Sequence, residues 1–152
     1  MNELEVREIG FADPRVQALV SEALTELGER YGGSGDDTPV TLTDFDPPAG
    51  AFFAAVDGGT LVGCAGWRRH GTDAELKRMF TAPAARGRGV ARRLLAAIEE
   101  SARAAGMKRV ILETGDKQPE AIGLYESAGY VRIPDFGYYK DAPGVLSFAL
   151  DL

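Results

Sequence analysis

Arg86-Gly87-Arg88-Gly89-Val90-Ala91 stands between a strand-forming run that ends at Thr81 and an amphipathic helical stretch that starts at Gly89. A glycine-bearing turn that opens a helix leaves several backbone N–H groups unpaired at the positive end of the helix dipole, which makes an anion site. The rest of the chain must therefore supply a strand to enter the turn and a sheet for the helix to pack on. We read the segment as a phosphate cradle, and its spelling narrows whose phosphate it holds. A P-loop places Lys-Ser/Thr after its second glycine, where this chain has Val90-Ala91. A dinucleotide fingerprint needs a third glycine where Arg92 stands, and it belongs in the first strand–helix turn. Here four predicted strands precede it.

Periodicity places the other elements. Leu4–Ile9 alternates as a first strand. Asp13 and Pro14 open a helix that carries Val16, Leu19, Val20, Ala23, Leu24 and Leu27 at helical spacing and stops near Tyr31-Gly32-Gly33. Residues 32–50 read as a long polar connection with room for a short helix, and loops of that length are usually functional or mobile. Ala51–Asp57 and Thr60–Arg69 form a hairpin about Gly58-Gly59, and Asp73–Thr81 is a further strand. The helix from Gly89 to about Ala105 turns Val90, Leu94, Leu95, Ile98 and Ala102 inward, and Gly106 stops it. Arg109–Thr114 is a strand, Pro119–Ala128 a helix, and Tyr130–Ile133 and Val145–Leu150 are closing strands. The order β-α-β-β-β-α-β-α-β-β predicts a mixed α/β layer in one domain over 1–152, with mostly antiparallel early strands.

Composition removes other classes. No apolar run approaches the roughly 20 residues of a membrane helix, and no secretory signal pattern opens the chain, which fits a cytoplasmic location. One cysteine, Cys64, and one histidine, His70, allow neither a disulfide framework nor a Cys/His metal cluster. The net charge of −6 argues against nucleic-acid binding, but its distribution is uneven. Residues 1–60 hold twelve acids against three bases; residues 84–109 hold seven bases against two acids. That pattern predicts two ligands of opposite sign.

In its longer frame the turn reads Met79-Phe80-Thr81-Ala82-Pro83-Ala84-Ala85-Arg86-Gly87-Arg88-Gly89-Val90-Ala91-Arg92-Arg93-Leu94-Leu95. This resembles the acetyl-CoA signature of the GNAT N-acetyltransferases, Gln/Arg-x-x-Gly-x-Gly/Ala between a strand and a leucine-bearing helix. A second block matches in Leu112-Glu113, Ala121-Ile122-Gly123-Leu124-Tyr125-Glu126 and Ala128-Gly129-Tyr130. Together the blocks cover residues 75–130. The resemblance implies a mostly antiparallel sheet splayed between its fourth and fifth strands, with acetyl-CoA in the gap and no metal. It puts the pyrophosphate on the backbone from Arg86, Gly87, Arg88, Gly89, Val90 and Ala91 to Arg92, and the pantetheine along Met79, Phe80 and Thr81. Gln118 stands where many relatives carry a cofactor-contacting Asn.

Acetyl transfer to an amine needs a neutral amine, a stabilised oxyanion and a protonated leaving thiolate. With a lysine-like pKa near 10.4, only about one amine in 2,500 is neutral at pH 7, so a base or desolvation must act. The resemblance makes Tyr125 the general acid and offers Glu113 or Glu75 as the base, directly or through a shared water wire. The oxyanion would meet the N–H of Phe80 or a neighbour. Asp116 is assigned to a helix cap, His70 to the surface, and Cys64 to the core with Trp67 sharing its face. Trp67 is open between core and acceptor wall, and Phe136, Tyr138 and Tyr139 are open between pocket lining and loop staple.

Acidic loops holding Glu29, Asp36, Asp37, Asp44, Asp46, Asp135 and Asp141 predict a cationic acceptor, a small-molecule primary amine or a peptide amine. Arg68, Arg69, Lys77 and Arg78 keep a carboxylate-bearing amino acid open as well. The rival reading is a non-catalytic acyl-CoA sensor of the same fold, with a nicotinamide-dependent oxidoreductase a distant third. A homodimer is open, dimers being common among members of the family.

Overall fold

The computed structural model describes residues 4–152. Its elements are β1 (Leu4–Glu8), α1 (Pro14–Tyr31), β2 (Gly50–Asp57), β3 (Thr60–His70), β4 (Asp73–Thr81), α2 (Val90–Ala104), β5 (Arg109–Gly115), α3 (Pro119–Ser127), β6 (Val131–Arg132) and β7 (Val145–Asp151). Asp13 caps α1 by accepting the Arg15 N–H at 2.9 Å, ahead of Pro14 at the first helical position. A 3-10 turn at Pro83–Ala85, not foreseen from the sequence, leads from β4 into the glycine turn.

The seven strands form one mixed α/β sheet in the order β1-β2-β3-β4-β5-β7-β6, antiparallel throughout except for β4 and β5. Those two run parallel and pair only at Ala74↔Val110 and Glu75↔Ile111. Beyond Glu75 they part, and the facing edge of β4 has no strand partner among the described residues. Between the pairs Cys64↔Phe80 and Gly66↔Lys77, β4 advances three residues against two on β3. This bulge, with Arg78 at a φ of 59°, bends β4 close to where it leaves β5.

Two apolar layers cover the sheet. On one face, α1 brings Val16, Leu19, Val20 and Ala23 against Phe52, Ala54, Val56, Cys64 and Phe80. On the other, α2 brings Val90, Leu94, Leu95, Ile98 and Ala102 against Ala55, Trp67, Leu76, Val110 and Leu112, with Tyr125 of α3 in the same cluster. Strands covered on both sides read as continuous apolar runs, which is how Ala51–Val56 appears in the sequence. Among the described residues no helix is long and apolar enough to cross a membrane.

Three expectations are corrected. Residues 32–49 contain no helix; Pro39 and Pro47-Pro48 interrupt the segment, and Asp44 instead closes a turn on the Thr41 N–H and hydroxyl at 3.1 and 2.6 Å. Trp67 does not share a face with Cys64, because the two are three residues apart and strand side chains alternate. Trp67 is core, its indole N–H donating to Ser101 Oγ at 2.9 Å. Asp116 does not cap α3; Gln118 holds the cap position, with no capping bond from its side chain. His70 is exposed, as expected, and meets Phe136 edge-on at 5.4 Å.

Gly66 shows how tightly β3 is packed where it faces the bulge. A Cβ there would collide with the Phe52 ring and lie 2.8 Å from Phe45. Gly66→Ala should therefore cost about 1–3 kcal/mol by overpacking, measured as a lowered urea midpoint at unchanged slope.

Candidate active site

The turn that the sequence marks is built as an anion cradle. Gly87 and Gly89 hold left-handed φ values of 82° and 77°, conformations that side chains resist. None of the backbone N–H groups from Gly87 to Arg92 donates to an acceptor among the described residues. All of these residues but Arg88 line a 450 Å³ cleft, together with the unpaired edge of β4 (Met79, Phe80, Thr81) and Leu124 and Tyr125 of α3. Of the residues expected to hold the cofactor, Arg86, Gly87, Gly89, Val90, Ala91, Arg92 and Gln118 line this cleft together with Met79–Thr81. Arg88 does not; its guanidinium donates to Asp57 at 2.8 Å. Arg86 chelates Glu26 at 2.9 Å, so part of the basic island is neutralised within the protein.

Tyr125 lies at the inner end of the cleft, 6% exposed, packed on Tyr130 and Phe148. Among the described residues its hydroxyl has one hydrogen-bonding neighbour, the Met79 thioether at 3.9 Å. Burial raises its pKa, so the phenol stays protonated at neutral pH, with no strong acceptor for that proton.

A second cavity of 290 Å³ adjoins the first and shares Leu27 and Gln118 with it. Glu113 of β5 and Lys77 of β4 face it, with Tyr31 of α1 and Tyr139 of the β6–β7 loop. Burial is the largest influence on Glu113 and raises its pKa, against the opposing pull of the Tyr139 N–H and Lys77. One carboxylate oxygen accepts that N–H at 3.0 Å; the other, Oε1, is enclosed and has no hydrogen-bond partner among the described residues. Gly137 lies so close that a Cβ there would come within 2.6 Å of the Glu113 carboxyl carbon.

Glu75, the other acid expected near the chemistry, is 3% exposed and lines neither cavity. Its Oε1 accepts from Arg68 Nε at 3.1 Å, and Arg68 also reaches Asp44 at 2.9 Å and the Pro39 carbonyl at 2.8 Å.

Sequence reasoning did not assemble the roof of this cavity. Tyr139 donates its hydroxyl proton to Asp36 at 2.7 Å and accepts the Asp37 N–H at 2.7 Å, joining the α1–β2 and β6–β7 loops. Asp36 also takes Lys77 at 3.3 Å and Arg78 at 2.5 Å. Burial pushes its pKa up, but Lys77, the Thr38 hydroxyl and Arg78 more than offset this and hold it well below the ordinary carboxylate range. Asp135 accepts from Ser147 Oγ at 2.8 Å. The loop acids closest to the cavity are thus bound internally and do not make the cationic trap that their number suggests. A faint signal existed for Lys77: on a strand it points to the same side as Glu75, two residues earlier.

With the geometry in place, comparison with known proteins assigns the class. The profile of the acetyltransferase (GNAT) family matches residues 17–130. An IAA acetyltransferase of Azospirillum brasilense is 38% identical over 139 residues, covering 90% of each chain. A crystal structure from Klebsiella pneumoniae, provisionally assigned as an acyl-CoA N-acyltransferase, is 28% identical with a TM-score of 0.82, covering 98% of this chain and 97% of that one. PaiA N-acetyltransferase from Thermoplasma acidophilum, solved in complex with coenzyme A, shares the fold at 14% identity and a TM-score of 0.74, covering 99% of each chain. The chain belongs to the GNAT acetyltransferase family.

The Asp36 cluster carries a prediction. A depressed carboxylate contributes stability that is present above its unfolded value of 3.8 and lost as pH falls below that toward the folded value. Asp36→Asn, which strands buried Lys77 and Arg78, should cost about 3–5 kcal/mol at pH 7. Urea unfolding should show this gap narrowing as pH drops from 5 toward 2.

Proposed function

We propose that the protein is an acetyl-CoA-dependent N-acetyltransferase that acts by direct transfer in a ternary complex. The observation that carries this reading is the pairing of two adjoining cavities beside the parted strands: one is lined by the turn with its free backbone N–H groups, the other by a partly satisfied carboxylate. The coenzyme A complex of the Thermoplasma relative supports the same use of the first cavity.

The N–H groups of the turn receive the pyrophosphate, each charge-assisted bond contributing about 1.5–3 kcal/mol. The pantetheine amides run along the open edge of β4, as an added strand would. This brings the thioester to Met79–Phe80, beneath Tyr125. The acceptor amine enters from the second cavity, and its nitrogen attacks the carbonyl carbon. The oxyanion is held by the N–H of Phe80 or a neighbour. The C–N bond forms first, and collapse of the oxyanion then breaks the C–S bond. Glu113 takes the amine proton, directly or through a water, and Tyr125 gives its proton to the departing thiolate. Glu75, locked to Arg68, shapes the β3–β4 framework and is not assigned the base.

A sensor that merely binds acyl-CoA has no need of a buried phenol whose proton is held only by a thioether beside the cleft, which favours catalysis over that rival. Location in the cytoplasm, a single-domain organisation and a homodimer stand as expectations alongside this proposal.

Tyr125→Phe should lower kcat more than tenfold with the KM for acetyl-CoA near normal, in a thiol-release assay with a panel of primary amines. Undiminished turnover would remove Tyr125 from the mechanism. The rate should fall as pH drops through the raised Glu113 pKa, since the base must be ionised. Glu113→Gln should abolish that limb of the pH–rate profile and lower kcat/KM.

A further inference from the structure

The acceptor cavity contains a cation that the transfer chemistry does not use. Lys77, 7% exposed, is the only cationic residue among the described lining residues. Its ammonium donates to Asp36 Oδ2 at 3.3 Å and Thr38 Oγ1 at 3.0 Å, and its third N–H has no acceptor among the described residues. Asp36 cannot satisfy it further. That carboxylate is shared with Arg78 and already accepts from Thr38 and Tyr139. The other anion in the cavity, Glu113, accepts the Tyr139 N–H on one oxygen and takes no hydrogen bond from Lys77. Away from this polar end the wall is largely apolar, with Leu27, Tyr31, Pro143 and Val145. An ammonium facing a cavity with one N–H unpaired gains a hydrogen bond from a ligand that supplies the acceptor.

We infer that Lys77 is a specificity-determining residue that pairs a carboxylate of the acceptor, so that the acceptor is a free amino acid with an apolar side chain. Its carboxylate meets Lys77, its amine lies on the Glu113 side, and its side chain packs against Tyr31, Leu27 and Val145. This rests on the acetyl-transfer reading above and narrows it. A cavity of 290 Å³ suits such a small molecule. A peptide N-terminus, whose first residue lacks a free carboxylate, does not complete the cluster.

Matched acceptors test this: phenylalanine, phenylalaninamide and phenethylamine, and leucine against isoamylamine. The wild-type protein should show kcat/KM at least tenfold higher for each carboxylate-bearing member. Lys77→Met should bring the ratio within each set close to one, and Lys77→Arg should restore most of it. A readout free of turnover is the rise in melting temperature given by N-acetylphenylalanine against N-acetylphenethylamine, measured on the wild type with coenzyme A present. This decides the matter even if Lys77→Met does not fold. Equal kcat/KM within the sets, better use of the amide or a peptide, or an undiminished preference in folded Lys77→Met overturns the inference and leaves acetyl transfer intact. Thiol release with no amine at all overturns both.

Discussion

The parting of β4 from β5 is the constraint on which the rest of the structure depends. Two parallel strands that pair only at Ala74↔Val110 and Glu75↔Ile111 leave a row of main-chain donors and acceptors on β4 without strand partners. Open strand edges invite pairing with another extended group. In this fold that edge lies between two helices on opposite faces of the sheet. The invitation is therefore limited to something thin, extended and rich in amides, and the turn after β4 adds a demand for negative charge at one end. A phosphorylated pantetheine thioester meets both demands, and that coincidence is the basis of the proposed activity.

Charge is handled differently on the two sides of the sheet. At the turn the chain keeps its attraction in backbone N–H groups, which are fixed and lose little entropy on binding, while Arg86 and Arg88 are partly spent on Glu26 and Asp57. At the acceptor side the charges are side chains that neutralise one another in two clusters, Asp36 with Lys77 and Arg78, and Arg68 with Glu75 and Asp44. Such pairs do not by themselves make a protein stable, but breaking one strands a buried partner. They fix where the α1–β2 loop sits, and through Tyr139 where the β6–β7 loop sits, so the second cavity has a defined roof.

Much of this was legible in the residues. The cradle was readable because left-handed turns select glycine and helix openings expose N–H groups, rules that act over six residues. The helices and most strands were readable because covered faces impose spacing on Val16–Ala23 and Val90–Ala102. What could not be read were pairings across long sequence distances: Tyr139 with Asp36, Lys77 with Thr38, Arg68 with Glu75. Local pattern carries no trace of which loop closes over which strand. For the same reason the acidic loops looked like a trap for cations until their partners were visible. The face shared by Cys64 and Trp67 failed for a simpler cause, since residues three apart on a strand point to opposite sides.

The most direct test of the central claim is calorimetric titration of acetyl-CoA into the purified protein and into Gly89→Val. At position 89 the φ of 77° disfavours a branched side chain. The account predicts saturable one-to-one binding to the wild type and affinity weakened at least tenfold in a variant that still unfolds cooperatively. Absence of binding to the folded wild type, or equal affinity in the two proteins, would contradict it.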